Sequence, residues 1–301
     1  MVDSGGVKLA LNYSVEAERL FDEGRIDVDY FKYPGLLFHM GAMEDLDAFG
    51  RFCARVAAKR PILLHGLYPA PHDLSDPDLQ ALFDDAAAAR LIRMTRTPGL
   101  SFHPALAKHR DDVQTIIENA IFLREKYSGM AFVTIENVPD RHFGCLIRPE
   151  VITRLIHESG CGFLLDISHA FVAAHHLGMP LSAYLSQLPL DRTVEIHING
   201  WVTRSDTMCS DTMCSDTMCH VKIHDEAYAL LREILRCCTP QIVTIEYGRE
   251  NDKFAAGIPL QSPEGLNKRA MAEIEEQVQK MTELIRTAAD GAAFSVNGET
   301  I

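Results

Sequence analysis

The sequence has no apolar run of about 18 residues, the length that a membrane-spanning helix requires. Its first residues lack a basic start and a long apolar stretch, so we expect no secretory signal peptide and a cytoplasmic protein. An excess of positive charge is also missing, because 29 Lys and Arg residues face 42 Asp and Glu residues for a formal net charge of −13. Since a phosphate backbone is bound by a basic face, this balance argues against nucleic acid as the main partner.

Cysteine pairs at CxxC spacing are absent, although the chain has 8 cysteines. Neither a zinc ribbon nor a disulfide framework is therefore indicated, and we interpret the cysteines as free thiols. A glycine-rich phosphate loop is missing too, since neither GxGxxG nor GxxxxGK follows any predicted strand. This absence disfavours a dinucleotide-binding fold.

What the chain does contain is an alternation of short apolar runs and longer helical stretches. The apolar runs are typical of parallel strands buried on both faces. They are Lys8–Asn12, Val28–Tyr33, Ile62–His65, Leu100–His103, Phe132–Glu136, Gly162–Asp166, Thr193–His197 and Ile242–Glu246. The helical stretches include Pro77–Arg90, Asp111–Tyr127 and Gly265–Ala288. Eight strand–helix repeats favour an α/β fold of the closed (β/α)8 TIM-barrel type, which takes about 250 residues.

We interpret residues 1–289 as one barrel domain and residues 290–301, which are mostly small and polar, as a flexible C-terminal tail. The segment Ser205–Cys219 reads SDTMC three times. A perfect short repeat is low complexity, and we interpret it as a duplicated surface loop without a required role. The alternative is a thiol-rich lid or a loop that binds a soft metal.

Histidine and carboxylate residues end six consecutive predicted strands. The strand ends are His65, His103, Glu136, Asp166, His197 and Glu246, and His169 and His224 follow two of them. Because the C-terminal strand ends of a parallel barrel meet at one mouth, where active sites are built, we expect these side chains to converge. Imidazoles and carboxylates suit iron, zinc or manganese. His220, four residues before His224, is a weaker candidate.

The number of candidates exceeds the roughly three protein ligands that one catalytic ion takes. We therefore predict two metal ions and leave a third open, with a carboxylate such as Glu136 or Asp166 as a bridge. A single histidine at a strand end is more often structural, but six such ends in a row are hard to explain by capping or solubility. Asn137, Asn199 and Tyr247 flank the candidates and are possible supporting donors.

This succession of residues resembles that of the xylose-isomerase-like TIM barrels, which include sugar isomerases, epimerases and the endonuclease IV type of repair nuclease. Within that superfamily the chain is similar to the multinuclear non-haem iron-dependent oxidative enzymes (MNIO family), of which a methanobactin-synthesising iron oxidase is one. The similar segments include LNYS at residue 11, TIENVP at 134, VEIHINGW at 194 and VTIEYGREND at 243. The resemblance extends from about residue 8 to 255.

The resemblance implies an iron-dependent oxidoreductase that uses dioxygen to modify a residue, often cysteine, of a ribosomally made natural-product precursor peptide. A small partner protein that recognises the leader peptide is often involved. By position, the resemblance implies metal ligands at His65, His103, Glu136, Asp166, His197, His224 and Glu246. We add His169 to this set and expect Glu136, Asp166 and Glu246 to act in catalysis. Manganese or zinc is the alternative to iron.

Two positions depart from the family pattern. Lys222 stands where the family usually has an aspartate, so a carboxylate is lost and a cation is expected near the metals, which puts a third iron in doubt. His169 stands where the family often has asparagine, and it could restore a ligand. Asp206, Asp211 or Asp216 of the repeat could substitute for the lost carboxylate.

Other functions stay open at this point. The runner-up is a divalent-metal sugar isomerase or epimerase, with one ion on Glu136, Asp166, His197 and Glu246. There a glutamate would shuttle a proton next to a carbonyl group. A zinc phosphodiesterase of the AP-endonuclease type is disfavoured by the acidic charge. A barrel that has lost its activity and serves as a binding module is the non-enzymatic alternative.

Overall fold

A computed structural model describes residues 6–33, 46–66, 74–105, 112–139, 141–203, 217–247 and 266–294. Eight parallel strands close into a barrel in the order β1, β2, β3, β4, β5, β6, β7, β10, and two further strands form a separate antiparallel pair. The strands are β1 (Lys8–Asn12), β2 (Tyr30–Tyr33), β3 (Ile62–His65), β4 (Gly99–Phe102), β5 (Phe132–Glu136), β6 (Gly162–Asp166), β7 (Thr193–Ile198), β8 (Gly200–Thr203), β9 (Thr217–Val221) and β10 (Ile242–Ile245). The predicted (β/α)8 barrel is confirmed.

Helices connect the strands and cover the outside of the barrel. They are α1 (Val15–Asp22), α2 (Leu46–Ala57), α3 (Leu79–Leu82), α4 (Asp85–Thr95), α5 (Val113–Lys126), α6 (Pro149–Ser159), α7 (Ile167–His176), α8 (Leu181–Leu185), α9 (Asp225–Cys237) and α10 (Lys268–Phe294). Short 3-10 helices span Arg141–Ile147 and Leu190–Arg192. None of the helices in the described ranges is long and apolar enough to span a membrane.

Two helix boundaries differ from the prediction. The stretch predicted as one helix over Pro77–Arg90 is divided into α3 and α4, because Asp84 adopts an extended conformation and its side chain accepts a hydrogen bond from the Ala87 N–H. An aspartate in this conformation is a strong helix start. The last helix continues to Phe294, five residues beyond the predicted domain boundary at 289. The flexible tail predicted for residues 290–301 stays a prediction, since residues 295–301 lie outside the described residues.

The last part of the SDTMC repeat is not a loop. Thr217, Met218 and Cys219 belong to β9, which pairs antiparallel with β8 so that Cys219 lies opposite Trp201. The returning chain thereby satisfies the backbone N–H and C=O groups of β8. The earlier part of the repeat, including Asp206, Asp211 and Asp216, lies outside the described residues.

The inside of the barrel is built in layers, because alternate residues of each strand face inward. At one end Ala10, Leu63, Phe132 and Ile242 form a small apolar cluster. Two residues beyond Ile242 on β10, Thr244 is polar and buried. The buried polar side chains of this middle layer include Lys32, Ser101, Glu195 and Thr244. The strand ends above it carry the predicted metal ligands.

The hairpin of β8 and β9 depends on a glycine where it leaves the barrel. A Cβ atom at Gly200 would lie 2.1 Å from the Lys222 carbonyl oxygen. Because a backbone oxygen cannot turn away as a side-chain tip can, we expect Gly200→Ala to lower the free energy of unfolding by about 1–3 kcal/mol. Urea denaturation measures this loss.

Gly129→Ala is the matched control for that experiment, because a Cβ atom there would meet no atom within 4 Å. Equal stability of the Gly200 and Gly129 variants would contradict the close approach of the two backbones.

Candidate metal centre

The strand ends bring potential metal ligands together in two groups that share one residue. The histidine group consists of His65, His103 and Glu136. The carboxylate group consists of Glu136, Asp166, His197 and Glu246. Within each group one ligand atom per residue lies within 4.8 Å of all the others. Glu136, at the end of β5, belongs to both groups.

The histidine group gathers around one carboxylate oxygen. The Nε2 atoms of His65 and His103 are each 2.9 Å from Oε2 of Glu136. The same two ring nitrogens are 3.2 Å apart. Three donor atoms from β3, β5 and the residue after β4 therefore converge on one point.

The carboxylate group gathers around one ring nitrogen. Nδ1 of His197 is 3.0 Å from Oε1 of Glu136 and 3.1 Å from Oε2 of Glu246. It is 3.8 Å from Oδ2 of Asp166. The two oxygens of Glu136 thus face different groups, Oε2 toward His65 and His103 and Oε1 toward His197.

These atoms lack the partners that buried polar groups need. Both oxygens of Glu136, Nδ1 of His197 and Oε2 of Glu246 are buried and make no hydrogen bond of normal geometry to the part of the chain that the structure describes. Leaving such groups unsatisfied in the interior is costly. An octahedral ion with bonds of about 2.1 Å separates adjacent ligand atoms by about 3.0 Å, which is the spacing seen here. The arrangement therefore fits metal ions, with Glu136 between them.

The charges in the site favour cations. Burial raises the pKa of Glu136, but its interactions with the imidazoles of His65, His103 and His197 outweigh burial and hold the pKa well below its ordinary value. Burial and the neighbouring His103 lower the pKa of His65 to about 4, so its ring is neutral, as a metal ligand must be. His197 differs: burial lowers its pKa, but the carboxylates of Glu246 and Glu136 outweigh burial and raise it well above its ordinary value. A bound metal ion would take the place of that proton.

Asp166, at the end of β6, is held by hydrogen bonds on both oxygens. Oδ1 accepts the Ser168 hydroxyl at 2.7 Å and the His169 backbone N–H at 2.8 Å, so the same side chain caps α7. Oδ2 accepts from Nδ2 of Asn199 at 3.0 Å. The side-chain amide of Asn137 pairs with the backbone of Asp166 at 2.8 and 3.0 Å. These contacts fix the orientation of the carboxylate toward His197.

The supporting role predicted for Asn137 and Asn199 agrees with these contacts, but Tyr247 lies elsewhere. Its hydroxyl donates to the carboxylate of Glu273 on α10.

Burial raises the pKa of Asp166, against the opposing charge of His169. Its carboxylic acid therefore ionises less readily without a cation beside it.

Two further histidines border the carboxylate group. Nδ1 of His169 is 2.9 Å from the carbonyl oxygen of Asn137 and 3.6 Å from Oε1 of Glu136. Nδ1 of His220, on β9, is 3.6 Å from Oε2 of Glu246. His220 has a φ of 67° and its backbone N–H donates to the Asn199 side chain. The sequence analysis ranked His220 below His224. Sequence spacing could not reverse that order, because it is the pairing of β8 with β9 that brings His220 to the site.

His224 and Lys222 do not lie where the sequence analysis expected them. His224 caps α9: its Nδ1 accepts the Ala227 N–H at 3.2 Å, and its ring lies edge-on against Trp201 at 4.2 Å between centroids. The structure thus places it in neither donor group. The ammonium group of Lys222 pairs with Glu276 on α10 at 2.6 Å. Lys222, which we expected to place a cation near the metals, is therefore directed to the outer surface of the barrel.

Residues 103–257 match the sequence profile of the family described as RiPP precursor modification enzyme MbnB/TglH/ChrH. The match spans just over half of the chain. The chain belongs to this family. All the candidate ligands except His65 fall inside the matched segment of this MbnB/TglH/ChrH protein. The predicted membership of the MNIO family is confirmed, and the family description indicates an enzyme.

Individual proteins also resemble this MbnB/TglH/ChrH member in sequence or in fold. A UPF0276 protein of Chromobacterium violaceum is 27% identical over 214 residues, which cover 64% of this chain and 72% of that protein. Among solved structures, a xylose isomerase domain containing protein from Salmonella typhimurium LT2 has a TM-score of 0.60 at 15% identity, covering 93% of this chain and 97% of the other. A xylose isomerase domain protein from Alicyclobacillus acidocaldarius has a TM-score of 0.56 at 18% identity, covering 94% and 99%. These structures establish the xylose-isomerase-like fold.

The placement of the two neighbouring histidines can be tested with a pair of asparagine variants. Asparagine tolerates the backbone of His220 and can cap a helix in place of His224. We expect His220→Asn to lower metal content or affinity, since the His220 ring borders Glu246, and His224→Asn to leave both unchanged. Elemental analysis of the purified variants measures the difference. The reverse result would show that His224, as the resemblance implies, is the ligand.

Proposed function

We propose that this protein is a multinuclear non-haem iron-dependent oxidase or oxygenase that uses dioxygen to modify a cysteine of a ribosomally made precursor peptide. The observation that carries the proposal is the division of the two Glu136 oxygens between two donor groups. Family membership supports the peptide substrate. Neither an isolated zinc site nor a structural capping role requires a carboxylate in that position.

The composition of the histidine group favours iron. Two imidazoles and one carboxylate, with further positions open, are the ligand set of non-haem Fe(II) oxygenases. The four-residue carboxylate group offers oxygen ligands from Glu136, Asp166 and Glu246, more than the histidine group does, and it suits a harder, more oxidised ion. When bound, two such ions would supply one-electron chemistry with dioxygen and an anchor for a substrate thiolate.

The protein's own residues would hold and shield this centre. Glu136 would bridge the ions, while Asp166 and Glu246 would neutralise the positive charge of the second one. Asn199 and Ser168 keep Asp166 oriented. By binding the ions, Glu136, Asp166 and Glu246 would take part in catalysis.

Exposure indicates the side from which a substrate approaches. The side chains of His65 and His197 are 2% and 0% exposed, whereas those of His103 and His220 are 19% and 18% exposed. The precursor peptide would therefore reach the centre between His103 and His220. A leader-recognising partner protein and a cytoplasmic location stay predictions from the sequence.

Elemental analysis of anaerobically purified protein tests the proposal. We expect about two iron ions per chain, because one donor group has three candidate ligands and the other has four, with Glu136 in both. Absorption in the visible range should change on reduction. Glu136→Gln should remove most of the metal, because the shared negative charge is lost and one of the two oxygens is replaced by an amide nitrogen, whereas Glu246→Ala should affect chiefly one ion. Unchanged metal in the Glu246 variant would count against its role as a ligand.

Activity is tested with a cysteine-bearing peptide encoded beside the gene. Incubation with iron-loaded protein and dioxygen should change the peptide mass, and neither anaerobic conditions nor the Glu136→Gln protein should do so. A cysteine-to-serine peptide is the matched control. Iron binding without any oxygen-dependent change in a panel of such peptides would contradict the proposed substrate class.

A divalent-metal isomerase or epimerase is the second candidate. The carboxylate group contains the four residues Glu136, Asp166, His197 and Glu246 that such an enzyme would use for one ion. This reading predicts a colourless protein with a single manganese or cobalt ion, and His65→Ala would leave metal content unchanged. Three zinc ions would instead favour a phosphodiesterase, and no metal would favour a binding module.

A further inference from the structure

A buried ion pair lies beneath the two donor groups, in the middle layer of the barrel. Nζ of Lys32 on β2 is 2.7 Å from Oε1 of Glu195 on β7, and the two side chains are 0% and 1% exposed. Taking two charges out of water is costly, and replacing such a pair with apolar residues often leaves stability unchanged or raises it. Stability alone therefore does not account for the pair, and its other contacts lead to the metal centre.

The first connection runs from Glu195 to the carboxylate group. Oε1 of Glu195 is 3.2 Å from Nε2 of His197 and also accepts the Thr244 hydroxyl at 2.6 Å. A carboxylate paired with an ammonium group can only accept hydrogen bonds. Nε2 of His197 therefore carries the hydrogen in the neutral ring, and once the second proton has left, the lone pair is on Nδ1, the atom that faces Glu136 and Glu246.

The second connection runs from Lys32 to the histidine group. Nζ of Lys32 is 3.4 Å from the Ser101 hydroxyl, which is 2.7 Å from Nδ1 of His65. The Ser101 hydroxyl donates to the carbonyl oxygen of Leu64 at 3.3 Å. A hydroxyl has one hydrogen to donate, so a Ser101 hydroxyl that donates to Leu64 accepts its second hydrogen bond from Nδ1 of His65. The lone pair of His65 is then on Nε2, the atom that faces Glu136 and His103.

We propose that the Lys32–Glu195 pair is a positioning device that sets opposite tautomers in the two donor groups, with Nδ1 of His197 and Nε2 of His65 left free to bind cations. The inference rests on the metal-binding function proposed above. The role of the pair would be to support metal binding by the two donor groups, and not to stabilise the barrel. Neither residue touches the candidate ions.

A double variant, Lys32→Met with Glu195→Met, tests the proposal without leaving one buried charge unpaired. Zinc, which is diamagnetic, is added to the metal-free full-length protein, and affinity is measured against a competing chelator. We expect affinity to fall about 10- to 100-fold, as is typical when a partner of a metal-binding histidine is lost. The melting temperature of the metal-free protein should stay the same or rise.

Nitrogen-15 NMR of the histidine rings in the zinc-loaded protein supplies the readout that a purely structural role would not move. In the wild type, His197 should carry its hydrogen on Nε2 and His65 on Nδ1. The double variant should lose the defined tautomer of His197. Ser101→Ala, a smaller change, should alter the tautomer of His65 and leave that of His197 intact.

Glu18→Gln is the matched control, because Glu18 is also a buried carboxylate in a cation pair, with Lys59 and Tyr13 as partners outside the barrel. Its zinc affinity should equal that of the wild type. Wild-type affinity and tautomers in both the double variant and Ser101→Ala would overturn the inference. A lower melting temperature with unchanged affinity would do the same. A wild type that binds no metal would instead refute the proposed function.

Discussion

The carboxylate of Glu136 lies buried between imidazoles on two sides, and the rest of the site follows from its need for positive charge. Its oxygens are 2.9 and 3.0 Å from the ring nitrogens of His65 and His197, yet neither makes a hydrogen bond of normal geometry to the described chain. Asp166 and Glu246 add two more acidic groups next to His197. Such a concentration of buried charge is stable only with compensating cations. Metal ions bound by the two donor groups would satisfy these atoms.

The barrel supports this arrangement from below in successive layers. An apolar cluster closes the interior at one end, and the Lys32–Glu195 pair and Ser101 lie above it. These side chains contact the far ring nitrogens of His197 and His65, whose near nitrogens face Glu136. Each layer thus orients the one above it. Metal binding by this protein would therefore depend on Ser101 and Glu195, two residues before His103 and His197, as well as on the strand ends themselves.

Sequence reasoning located most of the candidate site but not its edge. His65, His103, Glu136, Asp166, His197 and Glu246 could be predicted together because each ends a strand of a parallel barrel, and such ends must meet. His220 and His224 could not be ranked from spacing, since the pairing of β8 with β9 turns one toward Glu246 and leaves the other against Trp201. The ion pair of Lys32 and Glu195 was missed, because its partners are 163 residues apart in the chain.

The alternation of strands and helices, the barrel and the side chains at its mouth could be predicted from the residues alone, because apolar periodicity is a local property. The division of those side chains into two groups, and the ring nitrogen that each histidine turns inward, depend on the folded arrangement. That arrangement also directs Lys222 to Glu276 on the surface. Distances of about 3 Å between ligand atoms depend on register, hairpin pairing and buried hydrogen bonds among distant strands, and no local pattern of residues encodes these.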